Sequence, residues 1–171
     1  MFLVKIKYLF FIILFLIGLS ISSIALSLPQ DKKELLHVAA DSTIYNYKSG
    51  INVFEGNVKV DQGSTHITAD KLTTKTNRQH DIQEMIAEGI KSPAHYWTTY
   101  EMGEPDIHAE ANIIKFYPID SNIILEKSVH MTQAENSFKG QMILYNSATK
   151  TITVPAAAKG RATLVYYPEK L

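Results

Sequence analysis

The chain has 171 residues, enough for one ordinary domain, and its 46% hydrophobic and 20% charged content is that of a globular protein rather than a disordered one. Its 17 basic residues balance 17 acidic ones, which excludes a global basic field that would draw in nucleic acid and an acidic one that would collect cations. Cysteine is absent, so the domain is held by burial and hydrogen bonding alone.

In chain order, Lys5 and Lys7 precede an apolar run over 8–19, and Ser23-Ile-Ala25 places small residues where a signal peptidase reads. Residues 1–25 are therefore expected to be a cleaved secretion signal. The competing expectation is an uncut anchor, because 8–28 is a stretch of 21 uncharged residues, close to the roughly 20 that a spanning helix needs. The four serines in that stretch favour the signal. Cleavage removes two lysines and leaves 15 basic against 17 acidic residues, a formal charge of −2. Residues 26–36 read as a polar connector, and 37–168 as one β domain.

Within that domain Phe54, Val58 and Val60 share one parity while Glu55, Asn57, Lys59 and Asp61 share the other, the period of a half-buried strand. Gln62-Gly-Ser-Thr65 supplies a turn in which Gly63 can take positive φ. The polar segment 77–84 and the segment 99–106, with Gly103 and Pro105, read as longer loops, too short for domain linkers. The opening pattern then returns 71 residues on: 54–62 lies over 125–133, and 67–72 over 138–143, without a gap. Upstream, 40–47 resembles 109–116 if two residues are inserted, and 89–96 echoes 157–164. Two copies of one meander, with no convincing amphipathic helix between strands, predict an all-β sandwich, roll or barrel.

The end strands of such a stack present unpaired backbone. Pro118, Pro155 and Pro168 are candidate edge guards, but the segments 38–47 and 162–167 are β-prone and hardly protected, a motive for strand addition to another molecule unless loops cover them.

Chemistry is harder to find. The six histidines, His37, His66, His80, His95, His108 and His130, show no helical ligand spacing, so no metal site is expected. Among the carboxylates Asp41, Glu55, Asp70, Glu110 and Glu126, a hydrolase would need two at a fixed separation, yet Glu55 and Glu126 lie on the polar parity of their strands. No nucleophile elbow, phosphate loop or dinucleotide fingerprint occurs, and no cofactor is expected. His95-Tyr-Trp97 with Tyr100 is either a sugar-stacking platform or ordinary core and rim. Ile44, Phe54, Val58, Val60, Ile67, Tyr96, Ile114, Phe116, Leu125, Val129, Met131 and Phe138 are assigned to one apolar face. They either fill a sandwich or line a groove able to take acyl chains.

His37-Val-Ala-Ala-Asp41, Phe54-Glu-Gly-Asn-Val-Lys-Val-Asp-Gln-Gly63, Ile67-Thr-Ala-Asp-Lys71, Pro93-Ala-His-Tyr96, His108-Ala109 and Phe138-Lys-Gly140 resemble, in order and spacing, the OstA-like family of periplasmic lipopolysaccharide transport proteins. The resemblance implies an open, slightly twisted antiparallel β-jellyroll that is not an enzyme. It further implies a periplasmic bridge that binds lipopolysaccharide through lipid A. The bridge would receive the lipid from an LptC-like inner-membrane protein, pass it to an LptD-like outer-membrane protein and self-associate head to tail. Leu36, Val38, Tyr96, Ile114 and Phe116 correspond to interior positions that look like lipid contacts, with His95 an alternative to Tyr96. Phe54, Val58, Ile67 and Leu125, from the apolar parity, complete the expected lining. A charge at Ile114 or Phe116 is expected to lower lipid occupancy without unfolding the domain. An LptC-like anchored assembly factor is the alternative if residues 1–25 stay uncut.

Overall fold

A computed structural model describes residues 34–99, 104–156 and 160–168. The signal, and the connector up to residue 33, lie outside the described residues. Among the described residues twelve strands follow in chain order: β1 (His37–Ala39), β2 (Ser42–Asn46), β3 (Ile51–Gln62), β4 (Thr65–Thr76), β5 (Ile82–Glu88), β6 (Ala94–Thr98), β7 (Ile107–Ala111), β8 (Ile113–Tyr117), β9 (Asn122–Gln133), β10 (Asn136–Asn146), β11 (Thr151–Thr153) and β12 (Thr163–Val165). Among the described residues no helix is long and apolar enough to cross a membrane.

The long strands bend and serve two layers. The first half of β4 pairs β6, whereas its second half pairs β5. β9 likewise gives its first half to β8 and its second to β7. One layer is β1-β3-β4-β6-β7-β9-β10-β12 and the other β2-β3-β4-β5-β8-β9-β10-β11. The chain is thus a row of folded rungs, in the order β1/β2, β3, β4, β5/β6, β7/β8, β9, β10 and β11/β12, each crossing from layer to layer at a common crease. This is an antiparallel β-jellyroll, with a closed ring of pairings through β4, β5, β8, β9, β7 and β6 and, among the described residues, an unpaired strand edge at each end of each layer.

The creases are β-bulges, which bend a strand by giving it extra residues. In the β3–β4 pair, Gly56 and Asn57 oppose Asp70 alone; in β9–β10, Lys127 and Ser128 oppose Gln141. All four residues on the longer sides take positive φ, between 46° and 79°. Gly56 is required to be small, because a Cβ there would meet the Asp41 carboxylate. Asp41 N–H donates to the Gly56 carbonyl at 2.9 Å, and Asn112 N–H to that of Lys127 at 3.0 Å.

These paired facts place the repeat 71 residues apart along the first two rungs as well as the hairpins. Val38 pairs Val60 as Ala109 pairs Met131, and Thr43 pairs Phe54 as Ile114 pairs Leu125. The expected two-residue insertion upstream is therefore absent; Ala40 matches Ala111, not Ala109. The fainter echo holds where its strands are described, since Ile67 pairs Tyr96 as Phe138 pairs Leu164.

Each layer keeps a period of two, and the two-residue bulges carry the same parity through β3 and β9, but the crease between β1 and β2 shifts it, and this corrects one assignment. Val38 faces inward and Ala40 follows suit, after which the bend shifts the inward set to Thr43 and Tyr45. Ile44 therefore shares the outer face with its partner Val53 and is 69% exposed. The edges are where the sequence put them, with one exception: Pro118 sits in the turn after β8, an inner strand paired on both sides.

Candidate functional site

Inward side chains of both layers form a single apolar cluster, whose fully buried members bury about 1.5–3 kcal/mol each. All nine predicted lining residues belong to it. Val58, Ile67, Tyr96, Ile114 and Leu125 are buried, while Leu36, Val38, Phe54 and Phe116 are partly buried against them. Tyr96, not His95, is the inward residue of its pair, and His95 points outward to Glu110. Ile114 is only 1% exposed. A charge there would be buried without a partner, so the expectation that it leaves the domain folded does not survive; Phe116, which is partly exposed, is the usable position.

The lining is not uniform. In the second copy Ile114, Phe116, Ile123 and Tyr145 adjoin one another across β8, β9 and β10. The matching positions of the first copy are Thr43, Tyr45, Asn52 and Thr74. Asn52 donates to Thr74 Oγ1 at 3.2 Å and accepts from Asn46 N–H, so this buried amide is satisfied. Sequence reading passed over it, although Asn52 shares the parity of Phe54.

Opposite the crease the layers end in turns. There Lys150 Nζ, beyond β10, lies 3.2 Å from Glu104 Oε2, in the segment before β7, and this pair joins one layer to the other. At the crease, the N–H groups of Lys91 and then Ile90 donate to Asp70, holding its carboxyl below the usual carboxylate range and fixing the 89–93 link between layers. Two surface depressions, of about 270 and 590 Å³, lie at turns of one layer and touch none of the nine lining residues.

The outer face carries the polar chemistry but does not gather it. His37, His66, Trp97 and His108 share one cross-strand row, and His95, Glu110 and His130 another. Among the described residues no three histidine or carboxylate side chains group as metal ligands. His66 stacks on Trp97 at 5.0 Å, whereas Tyr96 points the other way, so the aromatic cluster is split between two faces. Tyr100 lies outside the described residues. Glu55 and Glu126 each pair with a lysine, Lys71 and Lys115. They stand four strand spacings apart, roughly 19 Å, beyond the roughly 5–9.5 Å over which two carboxylates cooperate in glycoside hydrolysis.

Hydrocarbon is the chemistry that this interior presents. A family described as "LptA/(LptD N-terminal domain) LPS transport protein" matches residues 37–151. The chain is 29% identical over 142 residues to the lipopolysaccharide export system protein LptH of Pseudomonas aeruginosa, covering 83% of this chain and 80% of that one. It is 24% identical over 158 residues to the lipopolysaccharide export system protein LptA of Escherichia coli K12, covering 90% and 84%. The crystal structure of LptH, described as the LptA-homologous periplasmic component of the conserved lipopolysaccharide transport device of Pseudomonas aeruginosa, superposes with a TM-score of 0.76 at 24% identity. That likeness covers 82% of this chain and all of that chain, and it shows the shared fold.

Proposed function

The chain belongs to the family of LptA and the LptD N-terminal domain, and from that premise we propose that it is a non-catalytic periplasmic bridge that carries lipopolysaccharide between the inner and outer membranes. The observation that carries the reading is the two-layered interior, an apolar stripe that runs through every rung and ends at unpaired strand edges. Acyl chains of lipid A enter between the layers and contact Leu36, Val38, Phe54, Val58, Ile67, Tyr96, Ile114, Phe116 and Leu125, while the sugars stay outside. Each buried methylene contributes about 0.8 kcal/mol, spread over many weak contacts, which suits a carrier that must also release its load. Residues 1–25 are a cleaved signal, 26–36 a connector and 37–168 the working domain. An LptC-like inner-membrane protein and an LptD-like outer-membrane protein flank a head-to-tail series of copies.

The alternation of faces supplies the test. A photo-crosslinking amino acid at Phe116 or Val38 is expected to capture lipopolysaccharide in cells, and one at outward Lys115 or Ala39 is not. Equal capture from both faces, or none from the inward one, would refute the lipid path. Native mass spectrometry of the periplasmic protein checks the rest, through a mass lacking residues 1–25 and a lipid adduct; a chain retaining them would favour the anchored factor.

A further inference from the structure

The molecule contains a joint between two equivalent units. The first copy ends in the β5/β6 rung and the second begins with β7/β8, and these rungs pair in both layers at once. In one layer Ala94, His95, Tyr96, Trp97 and Thr98 face Ala111, Glu110, Ala109, His108 and Ile107; in the other Met85, Ile86, Ala87 and Glu88 face Phe116, Lys115, Ile114 and Ile113. The rung that ends the second copy, β11/β12, occupies the place of β5/β6. Phe138 pairs Leu164 as Ile67 pairs Tyr96, and Tyr145 pairs Ile152 as Thr74 pairs Met85. The rung that opens the first copy, β1/β2, occupies the place of β7/β8. Among the described residues both have one edge free.

We propose that the joint between two molecules repeats the joint within one, residue for residue, with β12 of one molecule on β1 of the next and β11 on β2. The proposal rests on the head-to-tail reading above and fixes its register. Carried over position by position, Ala162, Thr163, Leu164, Val165 and Tyr166 face Ala40, Ala39, Val38, His37 and Leu36 of the next copy. Ile152, Thr153 and Val154 face its Tyr45, Ile44 and Thr43.

Three features of the chain fit this register. At the crease the internal joint sets Ala94 against Ala111, and the carried-over pair is again alanine on alanine, Ala162 on Ala40, where little room exists. Among the inward pairs, Leu164 with Val38, Tyr166 with Leu36 and Ile152 with Tyr45 are apolar, while Val154 meets the hydroxyl-bearing Thr43. They cover side chains now 59%, 65% and 52% exposed at Leu164, Tyr166 and Tyr45. Finally, both layers must pair together, so the crease at Asp41 has to sit beside that of the last rung. A slip of one residue would turn every side chain to the wrong face, and a slip of two would keep the faces but break the alignment of creases.

The chain has no cysteine of its own, so the register is readable by disulfide trapping. Neighbouring strands bring facing Cα atoms to about 4.5–5.5 Å, within disulfide reach. Thr163→Cys protein is mixed with Ala39→Cys, His37→Cys or Asp41→Cys protein and oxidised; Thr153→Cys is mixed with Ile44→Cys, Ser42→Cys or Asn46→Cys. All are exposed positions. Covalent dimer is expected from 163 with 39 and from 153 with 44, at least about tenfold above the partners two residues away. Sedimentation of the unmodified chain separates the failures. Preferred trapping at 37 or 41, or no trapping at all in a chain that oligomerises, overturns the register and spares the head-to-tail reading. A chain that stays monomeric at high concentration overturns both.

Discussion

The two copies share a backbone plan and differ in what they bury. At matching inward positions the first copy has Asn52 against Thr74 and the second Ile123 against Tyr145. The bulges, the link from the β1/β2 or β7/β8 crease to the next strand, and the turn contact Thr76 N–H to Gly50, matched by Ser147 N–H to Ser121, both at 2.8 Å, are the same in each. The rung geometry is thus a property of pairing and crease, satisfied by any inward side chain that fills its place and finds its hydrogen bonds. Lining composition is then free to vary, and the second copy offers the more apolar wall.

Exchanging the lining is the harshest way to break that comparison. Ile123→Asn removes a side chain 1% exposed and puts an amide between Phe116 and Tyr145, at a cost of about 3 kcal/mol from lost burial and an unsatisfied group. Asn52→Ile should cost about 1 kcal/mol, because it gains apolar burial but strands Thr74 and the Asn46 N–H. Urea unfolding of both variants measures the pair; equal losses would show that the copies are not distinct environments.

The asymmetry also explains what could be read from the sequence. Alternation placed Phe54, Val58, Val60 and Ile67 on the inner face because the two bulge residues Gly56 and Asn57 return β3 to the same parity on both sides of its bend. It failed at Ile44, where the bend between β1 and β2 intervenes, because bends leave little mark in composition: Gly56 and Asn57 in one copy are Lys127 and Ser128 in the other, and Asp70 is Gln141. The same silence hid the true upstream register, since Ala-Asp-Ser at 40–42 looks more like Ala-Glu-Ala at 109–111 than like its structural match Ala-Asn-Ile at 111–113. Pairings such as β5 with β8 or β6 with β7 join strands from different copies, which the repeat itself does not report. The site was legible as a face, whereas its polar patch at Asn52 and the ion pair of Glu104 with Lys150 depended on knowing which strands end together.

A gentler comparison uses the two bulges. Gly56 has φ of 79° and Lys127 of 65°, a region that costs a residue with a Cβ roughly 1–2 kcal/mol. Gly56→Ala should destabilise by about that amount or more, given the Asp41 contact, whereas Lys127→Gly should be neutral or stabilise by up to about 1 kcal/mol. Opposite signs in thermal unfolding are expected. The same sign in both would mean that the bulges are not equivalent.

Asp70 and Gln141 differ in charge at matching creases. Because backbone N–H donors lower the folded-state pKa of Asp70, its stabilising contribution is complete above the unfolded value of about 4 and fades as pH falls through the folded value. Asp70→Asn should therefore lie below the parent in stability at neutral pH and meet it in acid. Curves that stay parallel down to low pH would assign the loss to something other than the carboxylate.

The smallest expected effect lies at the mouth, where the copies differ again: the second carries Lys150 and the matching residue of the first is Gln79. Both partners in the Lys150 to Glu104 pair are about half exposed, so water and salt screen it and such pairs contribute about 0–1 kcal/mol. Lys150→Gln makes the second copy like the first at this point. If the layers are held together by the crease and the apolar interior, the substitution changes the unfolding free energy measured in urea by less than about 0.5 kcal/mol, and the change shrinks with added salt. A loss well above 1 kcal/mol that persists in high salt would instead make the mouth a structural closure, and the two copies would then differ in how they are held shut as well as in what they bury.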